Sequence, residues 1–181
     1  MDSITFKSKS IKQNKTAFLT LGSFALANVT YSGIAWANAE RSSIDYSFHA
    51  TNTIWNAINI GIVAPSYCIN PFRKSTTAKD IVTTHRNLEK TLLINAGFDV
   101  GYILVGTWML YEAQYKGDKR ASWEGSGKAI VYNGLALFLY DMIFYAFKNK
   151  LSNTYLHPRI QFSTYPMPAT SSWCVQFRYT W

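Results

Sequence analysis

Charge is what this chain has least of. Only 15% of its 181 residues are Asp, Glu, Lys or Arg, and acids are the scarcer sign, 10 against 18 bases. So little charge beside 16% aromatic residues excludes a solvated, disordered chain. Cysteine is nearly absent: Cys68 and Cys174 form no Cys-x-x-Cys pair. Walker loops and Gly-x-Ser-x-Gly elbows are missing as well. His49, His85 and His157 fall in different segments with no metal-ligand spacing. An isolated histidine of this kind is expected to be a hydrogen-bonded surface group. No metal site, cofactor or catalytic set is defined, and the length fits one domain.

What is there instead is long uncharged sequence. Residues 16–39 carry no charge, 46–72 hold His49 as their one ionisable side chain of the charge-changing type, and 91–111 and 129–147 each hold a single acid, Asp99 and Asp141. Each gap has the length an α-helix needs to cross about 30 Å of hydrocarbon. The expected fold is therefore an all-α membrane protein, a four-transmembrane-helix bundle with spans near 17–36, 48–67, 91–111 and 129–147. A basic tail (1–16) precedes the helical domain (17–150), and an aromatic tail (151–181) follows. The mean hydropathy of −0.06 conceals this, because Asn28, Asn52, Asn56, Asn59, Asn95 and Asn133 sit inside the spans. Such groups fit a bundle interior and are costly against lipid. A soluble bundle with buried helices is the alternative; the span lengths weigh against it. The first span also resembles a signal peptide ending at Ala37-Asn38-Ala39, but its apolar stretch exceeds a signal core.

Lys and Arg placement orients the spans. With both termini cytoplasmic, thirteen basic residues lie inside and five outside. The positive charge is then a topology signal, with the lipid bilayer and its anionic headgroups as partner. Bases spread over separate segments give no nucleic-acid face. Trp36, Trp108 and Trp123 fall near the outer boundary, where indole rings favour headgroup depth. Both cysteines fall on the cytoplasmic side, where a disulfide is disfavoured.

Thr77-Ala78-Lys79-Asp80 reads as a capping box, so the third helix is expected to begin near Thr77, with a short separate surface helix as the alternative. In the tail, Trp173, Val175, Phe177, Tyr179 and Trp181 alternate with more polar residues, a strand signal. A short β-hairpin-like tail is expected. An isolated hairpin is marginal in water, so Trp173, Phe177, Tyr179 and Trp181 are candidate contacts to a partner.

Depth counting brings acids together. Asp99 lies nine residues past Lys90 and Asp141 seven before Lys148, so both sit about 10–13 Å inward from the same side. Asn59 comes to a similar depth. Asn95, Asp99, Tyr102 and Gly106 share one helical face, as do Asn52, Asn56 and Asn59, and Ala25, Asn28 and Ser32. No Lys or Arg within the spans neutralises either acid. The carboxyls are protonated, share a proton or cation, or are held in a static Asn/Tyr network. Asp99, Asp141, Asn59, Asn95, Tyr102 and Asn56 form the candidate proton or cation site.

These residues carry a resemblance. Trp55-Asn56 with Asn59, Glu89-Lys90 leading to Asn95-Ala96-Gly97-Phe98-Asp99-Val100-Gly101-Tyr102, Gly106 and Trp108, Gly125-Ser126-Gly127-Lys128, and Asn133-Gly134 with Asp141 resemble an uncharacterised family of small four-span bacterial membrane proteins, a domain of unknown function. The resemblance covers roughly residues 17–150. It implies a four-span fold in a bacterial cytoplasmic (inner) membrane and supplies no activity. The functional expectation is a non-catalytic, multi-pass membrane protein, acting as a structural or accessory subunit alongside other membrane proteins or as a homo-oligomer. The rival is a proton- or cation-handling channel or transporter component using Asp99 and Asp141.

Overall fold

The computed structural model describes residues 3–69 and 71–156, together with the backbone of 159–167 and 172–180. Helix α1, Ser3–Asn38, joins the basic N-terminal segment to the first uncharged stretch without a break. Helix α2, Ile44–Cys68, starts at Ser43, whose hydroxyl accepts the Tyr46 N–H at 3.0 Å. Helix α3, Ala78–Ala113, opens on the capping box read from sequence. The Thr77 hydroxyl accepts the Asp80 N–H at 3.1 Å, and the Asp80 carboxylate accepts the Thr77 N–H at 3.2 Å. A single 3-10 turn, Gly117–Lys119, leads into α4, Arg120–Tyr155. Gly117 supplies the positive φ of 50° that this turn requires.

The helices pack in the order α1, α2, α4, α3, so α2 and α4 each have two close neighbours and α3 has essentially one. The α3–α4 seam is tight because glycines line it. A Cβ on Gly106 would meet the Gly127 carbonyl at 2.9 Å, and one on Gly127 would meet the Gly106 carbonyl at 2.9 Å. Lower on the seam a Cβ on Gly134 would stand 3.2 Å from the Asp99 carbonyl. Small residues at a helix crossing allow this backbone approach, as in membrane helix pairs. Gly125 plays the same part between α4 and the first turn of α2, against the Ile44 carbonyl.

The expected fold needs two corrections. Among the described residues three helical segments, not four, are long and apolar enough to cross a membrane: Ser3–Asn38, Ala78–Ala113 and Gly117–Tyr155. Helix α2 falls short because His49, Asn52, Asn56 and Asn59 interrupt its apolar sequence. The fold over residues 3–156 is also all-α and takes in no β-hairpin. The backbone of β1, Arg159–Met167, pairs antiparallel with that of β2, Ser172–Thr180, and with no third strand. Two strands alone make no layer against the helices, and their side chains lie outside the described residues.

Burial in the middle of the helices is inverted relative to a water-soluble protein. Leu26, Ile58 and Leu104 are 58–66% exposed, whereas Asn56 and Asn133 are 0% exposed. At one end the pattern is ordinary: Phe6, Phe72, Ile81 and Leu151 form a buried apolar cluster that brings together α1, the α2–α3 connection, α3 and α4. At the opposite end Trp36 packs edge-on against Tyr46 and Trp108 against Trp123, with ring centroids 6.0 and 5.7 Å apart.

Candidate functional site

Three groups of buried polar side chains lie along the helices. The first is an amide network between α1, α2 and α4. Asn52 donates from Nδ2 to Ser32 Oγ at 2.7 Å and to Asn28 Oδ1 at 3.1 Å. Asn133 donates to Asn52 Oδ1 at 2.7 Å and to the Ala129 carbonyl at 2.8 Å. Asn56 donates to Asn133 Oδ1 at 2.9 Å and to Asn52 Oδ1 at 3.0 Å. His49 Nδ1 reaches Ser32 Oγ at 3.2 Å, and the Thr51 hydroxyl donates to Ser126 at 2.9 Å. Asn52 and Asn133 both donate and accept while Asn56 donates to both, so the three amides close a ring between α2 and α4 that Asn52 ties to α1. Asn56 Oδ1 is the buried atom of the ring left over.

The second group is the acid pair. Asp99 on α3 and Asp141 on α4 are both buried, and their carboxyls face each other as hydrogen-bonding neighbours. A hydrogen bond between two carboxyls needs a proton between them. Asp99 Oδ2 is buried without a hydrogen-bond partner. The remaining candidates do not join the pair. Asn56 belongs to the amide ring. Asn59 is half-buried with its Nδ2 unpartnered. Asn95 is exposed. Tyr102 turns its ring onto Trp55, with centroids 4.8 Å apart at 89°. The side chains of Trp173, Phe177, Tyr179 and Trp181 lie outside the described residues.

The third group was not anticipated and lies beyond the uncharged stretches, beside the apolar end cluster. Lys148 is buried and donates to Asn14 Oδ1. His85, expected at the surface, is fully buried. Its Nε2 faces two acceptors, the Lys148 carbonyl at 3.2 Å and Glu89 Oε1 at 3.4 Å. The ring proton therefore sits on Nε2, and Nδ1 accepts the Ser10 hydroxyl at 3.0 Å. The Ser152 hydroxyl donates to Glu89 at 2.6 Å. Burial pushes the Lys148 ammonium down to about 8, with Glu89 pulling the other way. Burial, then the Lys148 charge, pushes His85 below the usual histidine value. The sequence signal was three i, i+4 pairs of polar residues: Ser10/Asn14, His85/Glu89 and Lys148/Ser152. Among the described residues no group of three or more His, Cys, Asp and Glu side chains is arranged to hold a metal ion.

Long apolar helices with polar side chains turned inward define the class: an all-α protein with three segments able to cross a membrane. Within that class the chain belongs to the Family of unknown function (DUF6992), whose profile matches residues 20–142. The matched stretch holds the amide ring and both acids, while Ser10, Asn14, Lys148 and Ser152 lie outside it. No curated protein and no solved structure matches the chain.

Proposed function

We propose that the protein is a non-catalytic integral membrane protein of a bacterial cytoplasmic membrane, a structural or accessory component that works with other membrane subunits or with copies of itself. The amide ring carries this reading. Buried side-chain amides that satisfy one another fix the relative positions of three helices, which is what a scaffold needs and a reaction does not. The apolar outer surface supports a lipid environment, because contiguous exposed apolar area on this scale is not tolerated by a monomer in water. The tryptophans gathered at one end and the basic side chains at the other fit two headgroup boundaries. The aromatic tail is the proposed partner contact. Deleting residues 159–181 and following complex size in mild detergent tests it: a shift to a smaller species is expected, and an unchanged particle of unchanged stability removes the tail from the assembly. Membrane insertion itself is tested by alkaline carbonate extraction, from which the protein should stay in the pellet.

A second reading rests on the acid pair. Two facing carboxyls with one oxygen unpartnered are what a proton- or cation-handling site between α3 and α4 requires. Liposomes loaded with a pH-sensitive dye separate the two readings. Flux above empty vesicles that Asp99→Asn and Asp141→Asn abolish supports ion handling; flux at the empty-vesicle level favours the scaffold.

A further inference from the structure

Two cavities run end to end along the α1–α2 face and differ sharply in character. The first, about 290 Å³, lies where α2 ends and is lined by Asn14, Lys15, Ser66, Cys68 and the flanking apolar residues Ile11, Phe18, Tyr67, Ile69 and Pro71. The second, about 390 Å³, continues from it along the uncharged part of the helices between Leu19, Leu26, Ile60 and Val63. Phe18 and Tyr67 line both, so the two adjoin along α1 and α2, a polar head beside an apolar tail.

The head is equipped with donors. Asn14 is 5% exposed; Lys148 occupies its Oδ1, and its Nδ2 is left without a partner beside the cavity it lines. A buried amide donor without an acceptor is destabilising unless something accepts from it. Lys15, exposed at the same rim, adds a cation at the last charged position before the long uncharged stretch of α1. The tail is widened by Gly22, where a Cβ would already stand 3.3 Å from the Val63 side chain. A ligand that fits must carry an anionic acceptor at one end and a chain of methylenes behind it. The parallel groove between α1 and α4 also carries cations, Lys9 and Lys12, but Lys9 is taken up by the Tyr155 hydroxyl and the unpartnered buried atom there, Gln13 Oε1, is an acceptor that would repel a phosphate.

We propose that the α1–α2 groove binds one anionic phospholipid, its phosphate against Asn14 Nδ2 and Lys15 and one acyl chain along Gly22 and Val63. The proposal rests on the membrane reading above. The test is native mass spectrometry of the full chain released from nanodiscs of phosphatidylglycerol or phosphatidylcholine. One retained phosphatidylglycerol per chain is expected, with phosphatidylcholine retained less. Lys15→Gln should lower phosphatidylglycerol occupancy about fivefold, the effect of one lysine near a charged lipid surface. Lys119→Gln, on an exposed turn near the opposite end of the helices, should leave it unchanged. Gly22→Leu should displace the lipid by filling the tail, and Lys15→Gln keeps the test decisive if that variant does not fold. Equal retention of both lipids, or retention indifferent to Lys15→Gln, overturns the proposal. So does inorganic phosphate protecting the wild type against heat as well as the lipid does, which would mean a free-anion site. A chain that leaves the membrane in carbonate sinks the membrane reading instead, and the two failures are distinct.

Discussion

The α1–α2–α4 side of the molecule and the α3–α4 seam solve the same problem, how to hold apolar helices together, in opposite ways. On the first side, side-chain amides reach across and close a ring. On the seam, glycines let backbones touch, and the polar pair that remains is incomplete, with Asp99 Oδ2 unpartnered. A ring of amides tolerates some separation of the helices because each side chain spans the gap. A glycine seam tolerates none, and an acid pair within it is held by the backbone rather than holding it. The lesson is that polarity is cohesive on one side and a passenger on the other.

That contrast can be broken from either end. The largest effect is expected at the seam: Gly127→Leu places carbon against the Gly106 carbonyl and should cost about 3 kcal/mol or more by overpacking, seen as loss of the cooperative thermal transition in detergent. The ring should be next. Asn133→Ala leaves Asn56 Nδ2 and Asn52 Oδ1 short of a partner and should cost about 1–2 kcal/mol, read from the denaturation midpoint. If Asn133→Ala proves more damaging than Gly127→Leu, the seam is the softer joint and the comparison is reversed. Asp141→Asn should come third, below about 1 kcal/mol, because an amide N–H can replace the shared proton toward Asp99. A large loss there would mean that the acids bind the seam after all.

The smallest expected effect is a slope with pH. His85 is held below the ordinary histidine value of 6.5 by burial and by Lys148, with Glu89 and the Lys148 carbonyl opposing and Ser10 on the other ring nitrogen. Below 6.5 the unfolded chain takes up a proton before the folded chain does. Stability should therefore fall as pH drops from about 7 through the window beneath 6.5, and level off once folded His85 is protonated. His85→Gln keeps a donor toward the Lys148 carbonyl and removes the titration; its melting temperature should lose most of that slope between pH 7 and 5.

Local chemistry was the most legible part of the sequence. Thr77 and Asp80 cap α3 as their spacing implies, because a cap needs no neighbour. The stripe of Asn52 and Asn56 was legible because α2 lies between two helices, α1 and α4, and turns this stripe between them. Meeting of Asp99 and Asp141 followed from equal depth on antiparallel helices. Asn95 and Tyr102 share the face of Asp99 by spacing yet reach the surface, because α3 has one close neighbour and its buried stripe, Ala96, Asp99 and Gly106, is narrow. The number of neighbours is a tertiary fact that no helical spacing contains. The same holds for Lys148. A lysine just past an uncharged stretch reads as a headgroup anchor, and only the arrival of Asn14 and His85 from distant segments makes it a buried group.

The lengths of the helices have a mechanical meaning. Helices α1, α3 and α4 have 36 residues each and α2 has 25, so three run about 54 Å and one about 38 Å. Set in the membrane proposed above, with about 30 Å of hydrocarbon, the long three would stand roughly 20 Å proud of the oily layer. Proline interrupts α2 alone, at Pro65. The result is a tripod with no joint in any leg and a plug, Phe72, where the short helix stops.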